Sequence, residues 1–257
     1  MTPEFEDQSF KDHFSKVSVA YAKHRPTYPD ALFQFLASLT VDHVSAWDCA
    51  TGSGQVAVAL TNYYADVVAS DASQSQIDAA IAHPGIHYRV ARAEASGLAD
   101  DSQDLVTVGQ ALHWFDAEAF MAEAGRVLKT NGVLAVWFYE LCTVNAECDA
   151  IVETLYRDIV GDYWPPERVS IERGYADIVM PGDAIPAPSL EMVLDWDAAD
   201  MLGFLRTWSA CKRYESDHGS DPVALIEALL TEAWGNERRR VTWPLQMKAS
   251  RLNTLLE

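Results

Sequence analysis

The stretch AWDCATGSGQVAVAL, residues 46–60, decides the fold class of this 257-residue chain. It begins as an apolar run that ends at Asp48, continues through small residues with two glycines, and then takes the apolar spacing of a helix. A strand that passes into a helix through a glycine-rich turn is typical of a site for a nucleotide-like ligand. The rest of the sequence has to indicate which ligand this turn serves.

The same alternation of strand and helix continues to about residue 140. Four further apolar runs of strand length follow the first one, with helical patterns between them: ADVVASDAS, GIHYRVARAE, SQDLVTVGQ and NGVLAVWFYE. Strands that alternate with helices predict an α/β fold with a doubly wound, mostly parallel sheet. Two later runs, SLEMVLDWD and RRRVTWPLQMKA, predict additional strands on either side of a helix at 222–234.

We expect one domain over residues 1–257, with a ligand-binding core at 44–140. Residues 1–43 look helical and are broken by Pro26 and Pro29, while 141–215 contains helical patterns around a proline-rich loop. Both segments are predicted to form a helical lid over the carboxyl ends of the strands. In open α/β sheets, ligands bind at that edge.

Composition excludes several classes of partner. A formal net charge of −19 disfavours nucleic acid. No apolar run reaches the ~18–20 residues that cross a bilayer, and the polar N-terminus is unlike a secretory signal. The four cysteines show no C-x-x-C spacing, and no metal-ligand spacing is visible. We therefore expect a cytoplasmic protein with free thiols, no metal, no membrane partner, and a monomeric or homodimeric state.

Two familiar ligands fit the glycine turn unequally. The phosphate loop of nucleotide hydrolases needs Gly-Lys-Ser/Thr, whereas Gly54 is followed here by Gln55 and Val56. The dinucleotide fingerprint is a serious alternative, because GSGQVA fits G-x-G-x-x-G/A and Asp71 could hold the ribose hydroxyls. An NAD(P)-dependent oxidoreductase therefore stays open at this point.

Four features favour S-adenosylmethionine over a dinucleotide. Asp48 lies four residues before Gly52, where a carboxylate would repel a pyrophosphate but attract an ammonium and a sulfonium. About 43 residues precede the first strand, an acidic residue follows the third strand, and GQALHW follows the fourth. The chain also closes with two further strands and a helix between them.

On these residues, the sequence resembles class I S-adenosylmethionine-dependent methyltransferases over 44–140. Their motif D/E-x-G-x-G-x-G stands here as DCATGSG, with Ala50 in place of the first glycine. Since alanine tolerates a positive φ less well, we expect a less tightly turned backbone at Ala50. Four segments look like the trans-aconitate-methyltransferase-like group of small-molecule enzymes: YAKHRPTYPDAL, DASQSQI, AEASGLADDSQDLVTVGQALHWF and RTWSA.

The resemblance implies a seven-stranded sheet with its last strand antiparallel, S-adenosylmethionine as the cofactor, and a small-molecule acceptor. It implies that Asp48 orients the methionine ammonium and that Asp71 accepts hydrogen bonds from the ribose, although either carboxylate could instead cap a local turn. The other cofactor-binding candidates lie in the strand-end loops or the N-terminal segment: Ala50, Gly52, Gly54, Ala72, Ser73, Ala93, Glu94, Gln110, Ala111, Tyr21 and Arg25.

The acceptor pocket is predicted from residues in the lid and after the fourth strand. His113 is the catalytic candidate, as a general base or a hydrogen-bond donor. Tyr28, Trp114, Trp208 and Arg213 are substrate candidates, and all of these side chains could instead simply pack the lid.

The resemblance points to a small anion, methylated on a carboxylate oxygen and attracted by Arg25, His113 and Arg213. An aromatic or apolar acceptor among Tyr28, Trp114 and Trp208 is the rival. A non-catalytic cofactor-binding protein is the remaining alternative.

Overall fold

The structure is a computed structural model that describes residues 26–253. Tyr21 and Arg25 lie outside the described residues. The strands are β1 (Ser45–Cys49), β2 (Asp66–Asp71), β3 (Ile86–Val90), β4 (Gln103–Gly109), β5 (Leu128–Tyr139), β6 (Asp183–Ile185), β7 (Leu190–Trp196) and β8 (Arg239–Arg251). The α-helices are α1 (Asp30–Leu39), α2 (Gln55–Leu60), α3 (Gln74–Ala79), α4 (Ala117–Val127), α5 (Ala146–Thr154), α6 (Val169–Glu172), α7 (Ala198–Leu205), α8 (Ser209–His218) and α9 (Glu227–Trp234).

The strands form one mixed sheet in the order β3-β2-β1-β4-β5-β8-β6. Strands β1 to β5 are parallel, and β8 runs antiparallel to β5. The short strand β6 pairs with one end of β8, at 249–251, and β7 pairs with the other end, at 239–245. Because β6 and β7 pair with the same edge of β8, the eight strands occupy seven positions across the sheet. The predicted α/β fold with its antiparallel last strand is therefore confirmed. The segment MPGDAIPAPS, interpreted as loop, contains β6.

Helices cover both faces of the parallel part of the sheet. β1 is buried along its whole length, and β4 is buried from Gln103 to Val108. A strand that is covered on both sides does not alternate between apolar and exposed polar residues, and the polar side chains within these two strands, such as Asp48 and Thr107, are buried as well. On one face α1 packs Leu32 and Leu36 into the core, and on the other α4 packs Phe120 against Trp47. The carboxyl ends of β1, β2, β4 and β5 thus reach one common edge, the carboxyl edge.

The segments predicted to form a lid lie partly against the sheet and partly at its carboxyl edge. Helix α1 is buried against the sheet, whereas residues 164–171 and 204–212 line a cavity together with the ends of β4 and β5. The helical pattern at 198–215 is two helices, α7 and α8, and the pattern at 145–160 is α5 followed by a wider turn at Leu155–Ile159. The division into core and lid stays a prediction.

Within residues 26–253, no helix has both the length and the apolar character needed to cross a bilayer. The four cysteines are free and buried. No group of three or more metal-binding side chains is found in this part of the chain. The cytoplasmic location stays a prediction.

Candidate functional site

The glycine turn, residues 50–54, follows the carboxyl end of β1, and three of its five residues have a left-handed backbone conformation. The φ angles are 56° at Ala50, 54° at Gly52 and 83° at Gly54. The expectation of a looser backbone at Ala50 was wrong. The Thr51 amide donates to Ser70 O at 2.9 Å, and this bond to β2 holds the turn against the ~1–2 kcal/mol that alanine loses in this region.

Asp48 lies beneath the glycine turn and is 1% exposed. The Thr51 hydroxyl donates to its Oδ2 at 2.6 Å, and the Thr107 hydroxyl donates to its Oδ1 at 3.0 Å. Burial raises the pKa of Asp48 from 3.8 to about 7, against the effect of these hydrogen bonds. A cation at the turn would favour the ionised form of this carboxylate.

Asp71, at the end of β2, joins two loops of the carboxyl edge. Its Oδ2 accepts from the Gly52 amide at 3.0 Å, and its Oδ1 accepts from the Ser73 amide at 2.9 Å. The Ser73 hydroxyl pairs with Ser75 Oγ at 2.8 Å. The structure therefore brings the glycine turn, Asp71 and Ser73 together, with Ala72 between them.

The loops after β3 and β4 are also joined. Glu94 Oε1 accepts from the Asp116 amide at 3.0 Å, and its Oε2 accepts from Arg92 Nε at 3.3 Å. Ala93 and Ala111 are buried in the same apolar cluster. The carboxylate of Glu94 thus holds the loop that follows β4.

Gln110 directly follows β4 and has a φ of 57°. The Tyr139 amide donates to Gln110 Oε1 at 2.8 Å, and the Gln110 amide donates to Trp137 O at 2.8 Å. The Gln110 side chain thus extends the pairing of β4 with β5. Its backbone and that of Ala111 face the carboxyl edge beside the short turn Leu112–Trp114.

A cavity of about 120 Å³ lies above the ends of β4 and β5. Of the residues predicted from the sequence, Gln110, His113, Trp114 and Trp208 line it. Arg213 is not among the lining residues, whereas its neighbour Lys212 is. We call this space the aromatic cavity, because Trp114, Trp164, Phe204 and Trp208 form part of its wall.

Tyr28 lies at the carboxyl end of β4 but is not among the residues that line the aromatic cavity. Its ring packs edge-on against Trp137 at a centroid distance of 5.5 Å. Its hydroxyl is 3.2 Å from the position that a Cβ on Gly109 would occupy. The segment at 26–28 therefore crosses the carboxyl edge, and Gln55 Nε2 donates there to Pro26 O at 3.5 Å.

His113 is neutral in this environment. Its Nδ1 lies 3.1 Å from the hydroxyl of Tyr175. Burial, together with the charge of Arg168, lowers the pKa of His113 to about 3. An imidazole of this kind is a weak base at neutral pH, so its chemistry fits hydrogen bonding better than proton abstraction. The catalytic role of His113 stays a prediction.

The cationic wall of the aromatic cavity was not predicted from the sequence. The Arg168 guanidinium lies 4.1 Å from the ring centroid of Trp164, and its Nε donates to Tyr156 Oη at 2.7 Å. The sequence feature that could have indicated this wall is WPPER, in which Trp164 and Arg168 are four residues apart. Side chains at this spacing are neighbours on the surface of a helix. The two prolines instead led to its interpretation as a loop.

Comparisons with known proteins support one family. Residues 47–136 match the family model described as methyltransferase domain. A Dictyostelium discoideum protein named "Putative methyltransferase" is 34% identical over 229 residues, 88% of this chain and 87% of that protein. An uncharacterized methyltransferase of Schizosaccharomyces pombe is 34% identical over 122 residues, 46% of this chain and 49% of its own length. A solved structure from Anaeromyxobacter dehalogenans, titled as that of a "Putative Type II Methyltransferase", is 40% identical with a TM-score of 0.83, and the match covers 90% of this chain and 99% of the other.

Proposed function

Because this chain belongs to the class I S-adenosylmethionine-dependent methyltransferases, we propose that it binds S-adenosylmethionine at the carboxyl edge and methylates a small-molecule acceptor. The observation that carries the proposal is the bond from the Gly52 amide to Asp71, which places a carboxylate beside a left-handed glycine turn. The family match does not favour the oxidoreductase or the non-catalytic alternative.

The side chains at the carboxyl edge fit this cofactor. S-adenosylmethionine carries two ribose hydroxyls, an ammonium and a sulfonium, and when bound it supplies an activated methyl group. Asp71 offers acceptor oxygens for hydroxyl donors. Asp48 offers a buried carboxylate whose ionised form a positive ligand would favour.

We assign the remaining contacts by position along the carboxyl edge. The backbone of Ala50, Gly52 and Gly54 would approach the methionine and ribose. The adenine would lie among the residues after β2 and β3, namely Ala72, Ser73, Ala93 and Glu94. The backbone at Gln110 and Ala111 would face the methionine portion, because the Gln110 side chain is engaged with Tyr139. Tyr21 and Arg25 are proposed from the resemblance alone.

The acceptor would enter the aromatic cavity, next to Trp114 and His113. We propose that the methyl acceptor is a carboxylate oxygen. A carboxylate is ionised at neutral pH, since its ordinary pKa is ~4, and it has no proton to give up. A neutral His113 that donates one hydrogen bond to this carboxylate would therefore suffice for positioning it. Trp114 would close the cavity and present an aromatic face to positive charge.

The proposal is tested by transfer of an isotope-labelled methyl group. The purified protein is incubated with methyl-labelled S-adenosylmethionine and a pool of small metabolites, and products are separated by mass spectrometry. We expect a labelled small molecule whose label is released by alkali, as from a methyl ester. The control is Asp71→Ala, which should lose the product. Label that appears only in protein or nucleic acid would contradict a small-molecule acceptor.

A further inference from the structure

We propose that the acceptor is an aromatic carboxylate, whose negative charge is recognised by Arg168 and whose ring packs in the aromatic cavity. This inference rests on the proposed function, because it names the acceptor for that same site. It replaces Arg213, which the sequence suggested, with a different arginine.

Arg168 differs from most other arginines of the described chain in having no counter-ion there. Seven arginines within residues 26–253 form ion pairs with carboxylates: Arg92, Arg126, Arg157, Arg173, Arg206, Arg238 and Arg240. No carboxylate in the same range lies within ion-pair distance of Arg168. In a protein with a formal net charge of −19, a cation that lines a cavity without an acidic partner is suited to bind an anionic ligand.

The guanidinium of Arg168 is held in one orientation. Its Nε donates to Tyr156 Oη at 2.7 Å, and the Tyr156 hydroxyl donates to Glu172 Oε1 at 2.9 Å. One guanidinium face lies over Trp164. No residue between 26 and 253 accepts a hydrogen bond from its terminal nitrogens. A planar group fixed in this way can bind a carboxylate through two parallel hydrogen bonds.

Arg168 also lies close to the end of β4, where the methyl acceptor is expected. The short turn Pro166–Arg168 contacts the turn Leu112–Trp114, and the charge of Arg168 affects the imidazole of His113. Of the other charged residues in the lining, Glu140 is exposed, and Lys212 pairs with Glu215 at 3.1 Å. Within the described lining, Arg168 is thus the cation best placed for an anionic acceptor.

The walls of the aromatic cavity favour a flat ring. Trp164 and Trp208 pack with a centroid distance of 5.5 Å, and Phe204 and Trp208 pack edge-on at 6.0 Å. Aromatic side chains attract a further ring through stacked or edge-to-face contacts, each worth ~0.5–1.5 kcal/mol beyond burial. The cavity volume of about 120 Å³ is small compared with the ~300–1,000 Å³ of typical ligand pockets. A single ring with one carboxylate suits both the size and the charge.

The test uses three probes of similar size: benzoate, its neutral counterpart benzamide, and the saturated anion cyclohexanecarboxylate. Binding to the protein, saturated with S-adenosylhomocysteine, is followed by tryptophan fluorescence. We expect benzoate to bind at least ten-fold more tightly than either of the other probes. Arg168→Met and Arg168→Gln should remove the preference over benzamide, and Arg168→Lys should restore part of it. Arg157→Met is the matched control, because Arg157 is an exposed arginine paired with Glu153, and its loss should leave the preference unchanged.

The affinity for S-adenosylhomocysteine, measured by calorimetry, distinguishes failure of the proposed cofactor binding from failure of the proposed recognition of an aromatic carboxylate. It should be the same in wild type and all these variants. Absence of this binding in wild type would remove the proposed function itself. If the cofactor product binds, but benzoate fails to bind or is not preferred, the inference is overturned. Survival of the charge preference in folded Arg168→Met and Arg168→Gln would overturn it equally.

Discussion

Replacing Asp48 with asparagine should change how the stability of the protein depends on pH. In the folded state, burial raises the pKa of this carboxyl from 3.8 to about 7, which corresponds to about 4 kcal/mol at ~1.36 kcal/mol per pH unit. The unfolded chain ionises Asp48 from about pH 4 upward, whereas the folded chain resists ionisation until about pH 7. Wild type therefore loses stability through this group as the pH rises across that range. Above about pH 7 the free energy of unfolding stops falling through this group. Asp48→Asn has no carboxyl to ionise at this position and should not show this fall.

The assay is urea unfolding of wild type and Asp48→Asn at several pH values from about 5.5 to 8.5, above the isoelectric region. The free-energy difference between the two proteins should shift in favour of Asp48→Asn by about 2 kcal/mol between pH 5.5 and 7, and then stay constant. Altered hydrogen bonds with Thr51 and Thr107 add an offset that does not depend on pH, so the slope is the readout. Asp42→Asn, at an exposed carboxylate, is the control. A difference that is flat across this range would refute the buried, protonated Asp48.

Three further outcomes are expected. Gly54→Ala should lower the free energy of unfolding by about 1–3 kcal/mol, because φ is 83° and the added Cβ would lie 2.3 Å from Tyr88 Oη; a Tyr88→Phe background should recover part of this loss, and full additivity in a double-mutant cycle would contradict the clash. His113→Asn should reduce turnover but leave the shape of the pH–rate profile near neutral pH unchanged, because the lowered pKa of His113 keeps this imidazole neutral there. Loss of an ionisation near neutral pH in this variant would show instead that His113 acts as a base. Amide hydrogen exchange at 160–190 should slow when S-adenosylhomocysteine binds, whereas exchange indifferent to the ligand would mean that this segment is fixed structure and not a lid.

The parallel half of the sheet could be predicted because local and global signals agree there. β1 and β4 are buried on both faces, and each contains adjacent apolar residues, Ala46–Trp47 and Leu105–Val106, that do not alternate with exposed polar ones. The turn after β1 needs residues that accept positive φ, and Gly52 and Gly54 mark it in the sequence. Glycine does not mark every such position, because Ala50 also has a positive φ. There the hydrogen bond from the Thr51 amide to Ser70 O holds the turn.

The edge strand and the cavity wall could not be predicted in the same way. β6 has three residues and is mostly exposed, so it exists through its pairing with β8 and carries no apolar pattern of its own. Arg168 and Lys212 line the cavity because α8 and the turn at 166–168 fold over β4 and β5, which is a tertiary arrangement with no local signature. Arg213, the neighbour of Lys212, was chosen from the same helix but is not in the lining.

The proposed function depends most directly on the cofactor site that includes Asp71. A calorimetric titration of the purified protein with S-adenosylhomocysteine, with NADH as the comparison ligand, tests it in one measurement. We predict one site per chain for S-adenosylhomocysteine, none for NADH, and at least a ten-fold weaker affinity in Asp71→Ala, from the ~1.5–3 kcal/mol of hydrogen bonds to a charged group. Binding of NADH instead, or an unchanged affinity in a folded Asp71→Ala, would contradict S-adenosylmethionine binding at Asp71.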